Sequence, residues 1–306
     1  SLLVAGAVLK SAQFPFHTWL PQTLDTPTPV SALMHAGIVN AGGYLMIRTS
    51  PLLVLNPTAM TSLVLIGTIT TCYAATVMLT QTSIKKNLAY STIAQMGFMM
   101  LQCGLGAFSA AMLHILAHSL YKAHAFLNSG NVIEQNKVSG WNQPNDQELQ
   151  GSPVKLFVAG ASIILVYISS LSLFSINPIT KPGGILLGFI LCLALLSWVK
   201  QAFQANNRSL LIRTAGLSLI LCLSYSFSFV AIDKLVGLPQ FTSSHSYLTW
   251  AAAALIVVGF SSLSLIHRKI SQPNPPLWIN KLYIHAINGF YVETLLRQRF
   301  GNLNRK

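Results

Sequence analysis

Residues 108–133, FSAAMLHILAHSLYKAHAFLNSGNVI, constrain the fold more than any other stretch. They read as one membrane-spanning helix, yet they carry His114, His118, Lys122 and His124. The first three are spaced four apart. Four residues turn an α-helix by about 400° and climb about 6 Å, so His114, His118 and Lys122 form one slowly drifting polar stripe. His124 lies roughly 200° round from Lys122 on a regular helix and faces elsewhere. An ionisable side chain at membrane depth costs on the order of 3 kcal/mol or more, and such groups face a protein interior or a water-filled cavity. Two readings are open. The polar groups can be hydrogen-bonded cement between helices, with Lys122 snorkelling. Alternatively they relay protons, because histidine changes charge near neutral pH and an ammonium taken out of water gives up its proton more readily. Water then bridges the ~6 Å steps.

Composition agrees with a membrane setting. Of 306 residues, 52% are hydrophobic and 8% charged, against roughly 25% charged in soluble domains. The net charge is +13, from 19 Lys/Arg and 6 Asp/Glu. The basic residues cluster in loops and the tail without an aromatic-rich basic groove, so membrane topology explains them and nucleic acid is not expected as a partner. Cys72, Cys103, Cys192 and Cys222 are scattered through apolar segments. Without a CxxC or Cys/His pairing they read as small apolar fillers, and no metal or other cofactor is expected in this chain. The chain begins with Ser1 and shows no signal peptide. Its first segment, Ser1 to Gln13, reaches about 20 Å as a helix, short of the ~30 Å bilayer core. An N-terminally truncated fragment, cut inside a helix, is therefore expected.

Along the chain, SLLVAGAVLKSAQFPFHTWLP is interrupted by Pro15 and Pro21, which remove backbone donors. Lys10 lies just before this break. It either lines a cavity at a broken helix or marks an ordinary helix end. Thr28 as N-cap and Pro29 at N1 start a second segment, about Pro29 to Val54, that holds His35, Asn40 and Arg48. A third runs from about Thr58 to Leu79. Lys85 and Lys86 form a basic turn before a fourth, about Asn87 to Leu101. After the polar-stripe helix and a polar run from Glu134 to Gly151, four more apolar stretches span about Val154 to Ile176, Gly183 to Ala205, Leu210 to Ile232 and Tyr247 to Ile266. Lys200 and Asp233 sit at or near helix ends and read as interface residues. The segment PPLWINKLYIHAINGFYVETLLRQRF places Ile279, Leu282, Ile287, Phe290, Tyr291 and Leu295 at helical spacing. It reads as an amphipathic helix on the membrane or against a partner, or as a short buried helix of the same protein.

The expected fold is all-α: a polytopic transmembrane bundle of about nine spans, two of them broken helices, with a C-terminal amphipathic helix. With the Lys85–Lys86 turn inside, alternation leaves only Arg48, Lys181 and Lys234 outside and Lys10 and Lys122 within the membrane. All the remaining basic residues fall inside. That asymmetry makes the C-terminus cytoplasmic.

KSAQFPFHTWLPQTLDTPTPVSALMHAG, QTSIKKNLAYSTIAQMGFM and HILAHSLYKAHAFLNSG, in that order, resemble the antiporter-like membrane subunits. These include the proton-translocating subunits of respiratory complex I, the multisubunit sodium/proton antiporters and the DabB-type membrane subunits of bacterial inorganic-carbon accumulation complexes. The resemblance covers residues 1–133. It implies a proton-translocation module there, a cytoplasmic loop at 134–152, additional transmembrane helices at 153–267 and a cytoplasmic tail at 268–306. It also implies that Lys10, His35, His114, His118, Lys122 and the neighbouring His124 serve a proton path, that the helix of His114, His118 and Lys122 is broken, and that Lys85 and Lys86 are the family's basic turn. AGIVNAGG after His35, HSLYKAHAF around Lys122, LQCGLGAF, LYIHAINGFYVETLL and the short tail are more similar to the carbon-accumulation subunit than to complex I. That likeness implies a multi-pass protein of a bacterial inner membrane, in contact with membrane lipid. Its soluble carbonic-anhydrase-like partner would carry the zinc; other complex I membrane subunits would take that place in the alternative. The chain itself shows no Cys/His zinc constellation, no Rossmann fingerprint and no P-loop, so a transport subunit rather than an enzyme is expected.

Overall fold

A computed structural model describes residues 2–130, 153–174, 176, 184–204, 208–237, 247–270 and 275–301. Every regular element among them is helical. The expected loop at 134–152 lies outside the described residues. Thr28–Arg48, Pro57–Met78, Ser209–Leu235 and Trp250–Ile270 are each long and apolar enough to cross a membrane, and Gly160–Leu173 and Gly184–Val199 are shorter apolar helices. The chain is a multi-pass membrane protein.

The first segment is broken as its prolines require. Helix α1 (Leu2–Lys10) stops, an irregular stretch follows, and α2 (Trp19–Gln22) and a 3₁₀ turn at Thr23–Asp25 complete the run. Backbone groups at membrane depth must find partners inside the protein. Phe14 N accordingly donates to Thr70 Oγ1 at 3.0 Å.

The second segment is not the single helix expected from Pro29 to Val54. It divides into α3 (Thr28–Ala36), a 3₁₀ turn at Ile38–Asn40, α4 (Ala41–Arg48) and α5 (Ser50–Val54). Its N-cap is Pro27, one residue earlier than expected, so Thr28 is helical and makes no cap hydrogen bond. The two breaks stabilise one another. Ser11 Oγ donates to Val39 O at 2.6 Å and accepts from Gly42 N at 3.1 Å. One hydroxyl in the first break thus binds backbone groups on either side of the second.

Helix α6 (Pro57–Met78) starts at Asn56, whose side chain accepts from Ala59 N at 3.1 Å, an ordinary capping contact. Helix α7 (Ile84–Gly104) begins earlier than expected, so Lys85 and Lys86 lie in its first turn rather than in a turn before it. The two helices pack with backbones nearly touching. A Cβ at Gly67 would come 2.5 Å from Leu101 N, one at Gly97 2.7 Å from Thr71 N, and one at Gly104 2.6 Å from Val64 N. Small residues are what allow such approach in a membrane bundle. Thr71 Oγ1 crosses the seam to Ala94 O at 3.2 Å.

Helix α8 (Phe108–Leu127) follows and ends in a 3₁₀ turn at Asn128–Gly130, short of the expected Ile133. It is continuous, so the break expected at His114, His118 and Lys122 falls instead beside His35. Four long helices come next: α9 (Pro153–Leu173), α10 (Gly184–Gln204), α11 (Arg208–Val236) and α12 (Tyr247–Ile270). Asp233, in the last turn of α11, accepts from Ser109 Oγ at 2.9 Å and ties α11 to α8.

The tail is two short helices, α13 (Leu277–Ile287) and α14 (Val292–Gly301), rather than one amphipathic helix. Between them Gly289, Phe290 and Tyr291 all have positive φ. The buried face of α13 is Ile279 and Ala286, whereas Ile287, Tyr291 and Leu295 are exposed. The segment docks on the protein's own bundle through Ile279 and Ala286, leaving much of the expected apolar stripe outward.

The α6–α7 seam gives a direct test. Gly97→Leu puts a branched side chain against the Thr71 backbone. It should cost about 3 kcal/mol, the upper end for overpacking, read as a lower thermal unfolding midpoint of the purified protein. Gly6→Ala, where a Cβ meets nothing within 4 Å, should leave the midpoint near that of the parent.

Candidate functional site

Lys122 is completely buried. Its Nζ donates to Leu88 O at 3.1 Å and to Ser91 Oγ at 2.8 Å, both on α7. Among the described residues no carboxylate pairs with it. The ammonium is therefore held by neutral oxygen acceptors alone, which solvate it without fixing its charge. Its nitrogen also stands 5.7 Å from the centre of the Tyr121 ring.

One turn earlier His118 is buried, and neither of its ring nitrogens has a hydrogen-bond partner. Its ring centre is 6.0 Å from that of half-buried His114, which in turn lies 5.6 Å from Phe98. The four-residue spacing thus does what helical geometry requires and stacks the three groups along one face. His35 joins them from α3. It is fully buried, its ring stacks on Phe126 at 4.4 Å, and neither nitrogen has a partner. His118 is near enough to feel the charges of His114, Lys122 and His35.

Polar groups at the α3–α4 break extend this cluster. Asn40 Nδ2 donates to Ala36 O at 2.7 Å and to Ser119 Oγ at 2.9 Å. Asn40 Oδ1 and Gln102 Oε1 are buried without partners, as are the nitrogens of His35 and His118. Unpaired buried polar atoms are rare, and the usual explanation is ordered water.

The other expected site residues are elsewhere. Lys10 ends α1 and is exposed. His124 is exposed on another face of α8, as its spacing implies. Lys85 Nζ donates to Leu24 O at 3.2 Å and Thr26 O at 3.4 Å, pinning the 3₁₀ turn that precedes α3; Lys86 is exposed. Sequence reasoning missed Ser91 and the Leu88 carbonyl, and it missed His17, which is buried 3.0 Å from the Tyr73 hydroxyl. A histidine between two prolines at membrane depth was a legible signal for the last. Among the described residues no group of three or more His, Cys, Asp or Glu could hold a metal ion.

Residues 1–143 match the family described as NADH:quinone oxidoreductase/Mrp antiporter, TM. That part of the chain belongs to this antiporter-like family. The chain is 35% identical over 301 residues to the probable inorganic carbon transporter subunit DabB2 of Halothiobacillus neapolitanus, covering 95% of this chain and 53% of that protein. It is 55% identical over 133 residues to the probable inorganic carbon transporter subunit DabB of Hydrogenovibrio crunogenus, covering 44% and 26%. It is 50% identical over 133 residues to the chloroplastic NAD(P)H-quinone oxidoreductase subunit 5 of Vicia faba, covering 43% and 18%. The chain thus spans about half the length of the first of these relatives and less of the others.

Phe126 is the packing support of the site, fully buried against Leu24, Ala32 and Ala89 and stacked on His35. Phe126→Ala should lower stability by roughly 3 kcal/mol, the low end for a buried aromatic, because a membrane bundle loses packing rather than transfer energy. Thermal unfolding of the purified protein checks it, with Phe126→Leu expected to lose much less.

Proposed function

We infer that this chain is a proton-conducting membrane subunit that couples cation flux to accumulation of carbon dioxide or bicarbonate. The observation that carries the reading is the fully buried Lys122 ammonium, held by Leu88 O and Ser91 Oγ and flanked by the partnerless nitrogens of His118 and His35. A charge so held can release and regain its proton. The partnerless imidazoles, with water between, supply the next stations. His114 continues the path, and Lys10 and His124 join it only through groups outside the cluster.

The carbon-accumulation reading rests on similarity. The DabB2 relative matches almost the whole chain, whereas the quinone oxidoreductase relative matches fewer than half of its residues. In this reading a soluble, zinc-bearing, carbonic-anhydrase-like partner hydrates carbon dioxide, and the chain itself carries no cofactor. The second reading is a proton-pumping subunit of an NADH-quinone oxidoreductase or of a multisubunit sodium/proton antiporter. The 50% identity to the chloroplastic subunit favours it over residues 1–133.

Nine spans, two of them the broken segments, give the topology. Residues 1–133 form the translocation module, 134–152 a cytoplasmic loop, 153–267 the further spans and 268–306 a cytoplasmic tail, in a bacterial inner membrane. Support comes from the tail's docking beside the α6–α7 connection, at the same end of the bundle as Lys85.

Lys122→Ala in the full-length protein should abolish coupled transport in proteoliposomes while leaving assembly intact. Lys122→Arg should impair it too, because guanidinium does not release its proton in proteins. Wild-type flux in a well-assembled Lys122→Ala variant would remove the relay. Co-expressed with its soluble partner, the protein should restore growth in air to a host lacking carbonic anhydrases and drive uptake of labelled inorganic carbon. Co-purification with NADH-oxidising subunits, without rescue or uptake, would put the second reading in its place. For topology, an impermeant thiol reagent added outside should label Thr58→Cys and spare Thr82→Cys in a background lacking the native cysteines. The reverse pattern would invert the orientation.

A further inference from the structure

His17 is a buried histidine outside the Lys122 stripe. It sits in the break between α1 and α2, and its surroundings come from three distant parts of the chain. Its ring lies 4.8 Å from that of Tyr73 on α6 and 5.9 Å from that of Phe14. Phe290, from the tail, closes the cluster at 5.8 Å from Tyr73.

The hydrogen bonds here have a definite direction. The Tyr73 hydroxyl donates to the Gly289 carbonyl at 2.9 Å. A hydroxyl has one proton, so toward His17 Nε2, 3.0 Å away, it can only accept. His17 therefore carries its proton on Nε2, and the chain runs from His17 Nε2–H to Tyr73 to Gly289 O. A peptide carbonyl accepts a hydrogen bond but takes no proton, so this wire ends at the tail.

We propose that His17 and Tyr73 form a proton-exchange site at the Lys85 end of the bundle, closed when the Gly289 turn is docked on it. In the closed state a proton reaching His17 has no onward acceptor. When the turn lifts, the Tyr73 hydroxyl points to water instead. A proton then moves from imidazolium Nε2 to the Tyr73 oxygen as the hydroxyl's own proton passes to water, so His17 becomes neutral and Tyr73 is unchanged. Nδ1, buried without a hydrogen bond of good geometry, is the atom that loads from inside to give the imidazolium; release through Nε2 leaves the remaining proton on Nδ1, and a flip of the ring restores the Nε2–H tautomer before the next load. Gln13 Oε1, also buried and partnerless in the same break, marks where bridging water would stand.

The turn is built to dock at this place. Gly289, Phe290 and Tyr291 have φ of 58°, 51° and 60°, and consecutive left-handed non-glycine residues persist only where their surroundings over-determine them. A side chain at Gly289 would be strained by its φ of 58°, and its Cβ would press on the Tyr90 hydroxyl at 3.3 Å and touch that of Tyr73 at 3.4 Å. Two polar contacts flank it: Gln22 Nε2 to Glu293 Oε1 at 2.9 Å and Gln81 Nε2 to Ile287 O at 3.3 Å. Glu293, half-exposed and paired with Arg297 at 2.7 Å, is close enough to influence His17, Tyr73 and Tyr90 electrostatically. These are the titratable groups that α6, α7 and α14 bring to the site.

The site deepens the proton-conduction reading and rests on it. Gln22→Cys and Glu293→Cys, in the full chain without its native cysteines, can be joined by a short reversible bis-methanethiosulfonate reagent. Proton flux is then followed with a pH-sensitive dye in proteoliposomes. Crosslinking should remove most of the flux, and reduction should restore it; unchanged flux in the crosslinked protein would overturn the proposal. Without crosslinking, His17→Gln and Tyr73→Phe should each lose most of the flux, and wild-type flux in both would also overturn it. Lys122→Ala, measured in parallel, separates the two claims. Flux lost there but kept in the crosslinked, His17→Gln and Tyr73→Phe proteins removes this site alone, whereas flux kept in Lys122→Ala removes the relay itself.

Discussion

The site depends on one interaction, the capture of the Lys122 ammonium by oxygens of α7. Leu88 O already accepts from the Thr92 hydroxyl at 3.0 Å as well as from Lys122 at 3.1 Å. Such a shared carbonyl tolerates little slippage between α7 and α8. The register is set at the far end of the pair by a tight turn, in which Gly106 has φ of 75° and Ala107 N donates to Gln102 O at 2.9 Å. On the other side, the glycine seam fixes α7 against α6. A small-residue helix contact and a three-residue turn therefore determine whether a buried cation has acceptors.

The broken helices obey the same constraint from the opposite direction. Irregular backbone at membrane depth is tolerated only where protein or trapped water satisfies it. Ser11 binds Val39 O and Gly42 N, Thr70 binds Phe14 N, and Asn40 reaches Ala36 O and Ser119. The side-chain atoms left without partners include those of His35, His118, Asn40, Gln13, His17 and Gln102. At both breaks these side chains give backbone groups a partner, while several side chains able to hold water or protons keep unpartnered buried atoms.

Much of this was legible because it follows from spacing. The i, i+4 run of His114, His118 and Lys122 fixed a common face, and Pro15 with Pro21 fixed the first break. The second break was hidden because Gly37 and Asn40 are weak breakers, tolerated within helices; only the tertiary contact from Ser11 makes the bend profitable to the backbone. The acceptors of Lys122 were hidden for a related reason. A backbone carbonyl has no sequence signature, and Ser91 is one serine among many in apolar helices. Lys10 carried the clearest motif, yet it is exposed among the described residues, because a motif names a position and not the surface that covers it. The tail misled through periodicity: its apolar stripe is real, but the left-handed turn at residues 289–291 splits it between two helices.

The donor set also bears on which cation moves. Hard metal cations are bound by oxygen ligands, several at once. The stripe offers nitrogen bases and one ammonium instead. Backbone carbonyls at a broken helix are the usual substitute for carboxylates, but those of the α3–α4 break are already engaged: Leu33 O by Gly37 N, Ala36 O by Asn40 and Val39 O by Ser11. The acids of the described residues stand apart from the stripe, since Asp25 is exposed, Asp233 binds Ser109 and Glu293 binds Gln22 and Arg297. A bare sodium ion moved beside Lys122 would meet a like charge and, among the described residues, no carboxylate. A proton needs neither, only basic atoms within reach of a shared water. On the proton-conduction reading proposed above, the nitrogen bases of the cluster suit a proton better than a bare metal cation, whatever machine that flux drives.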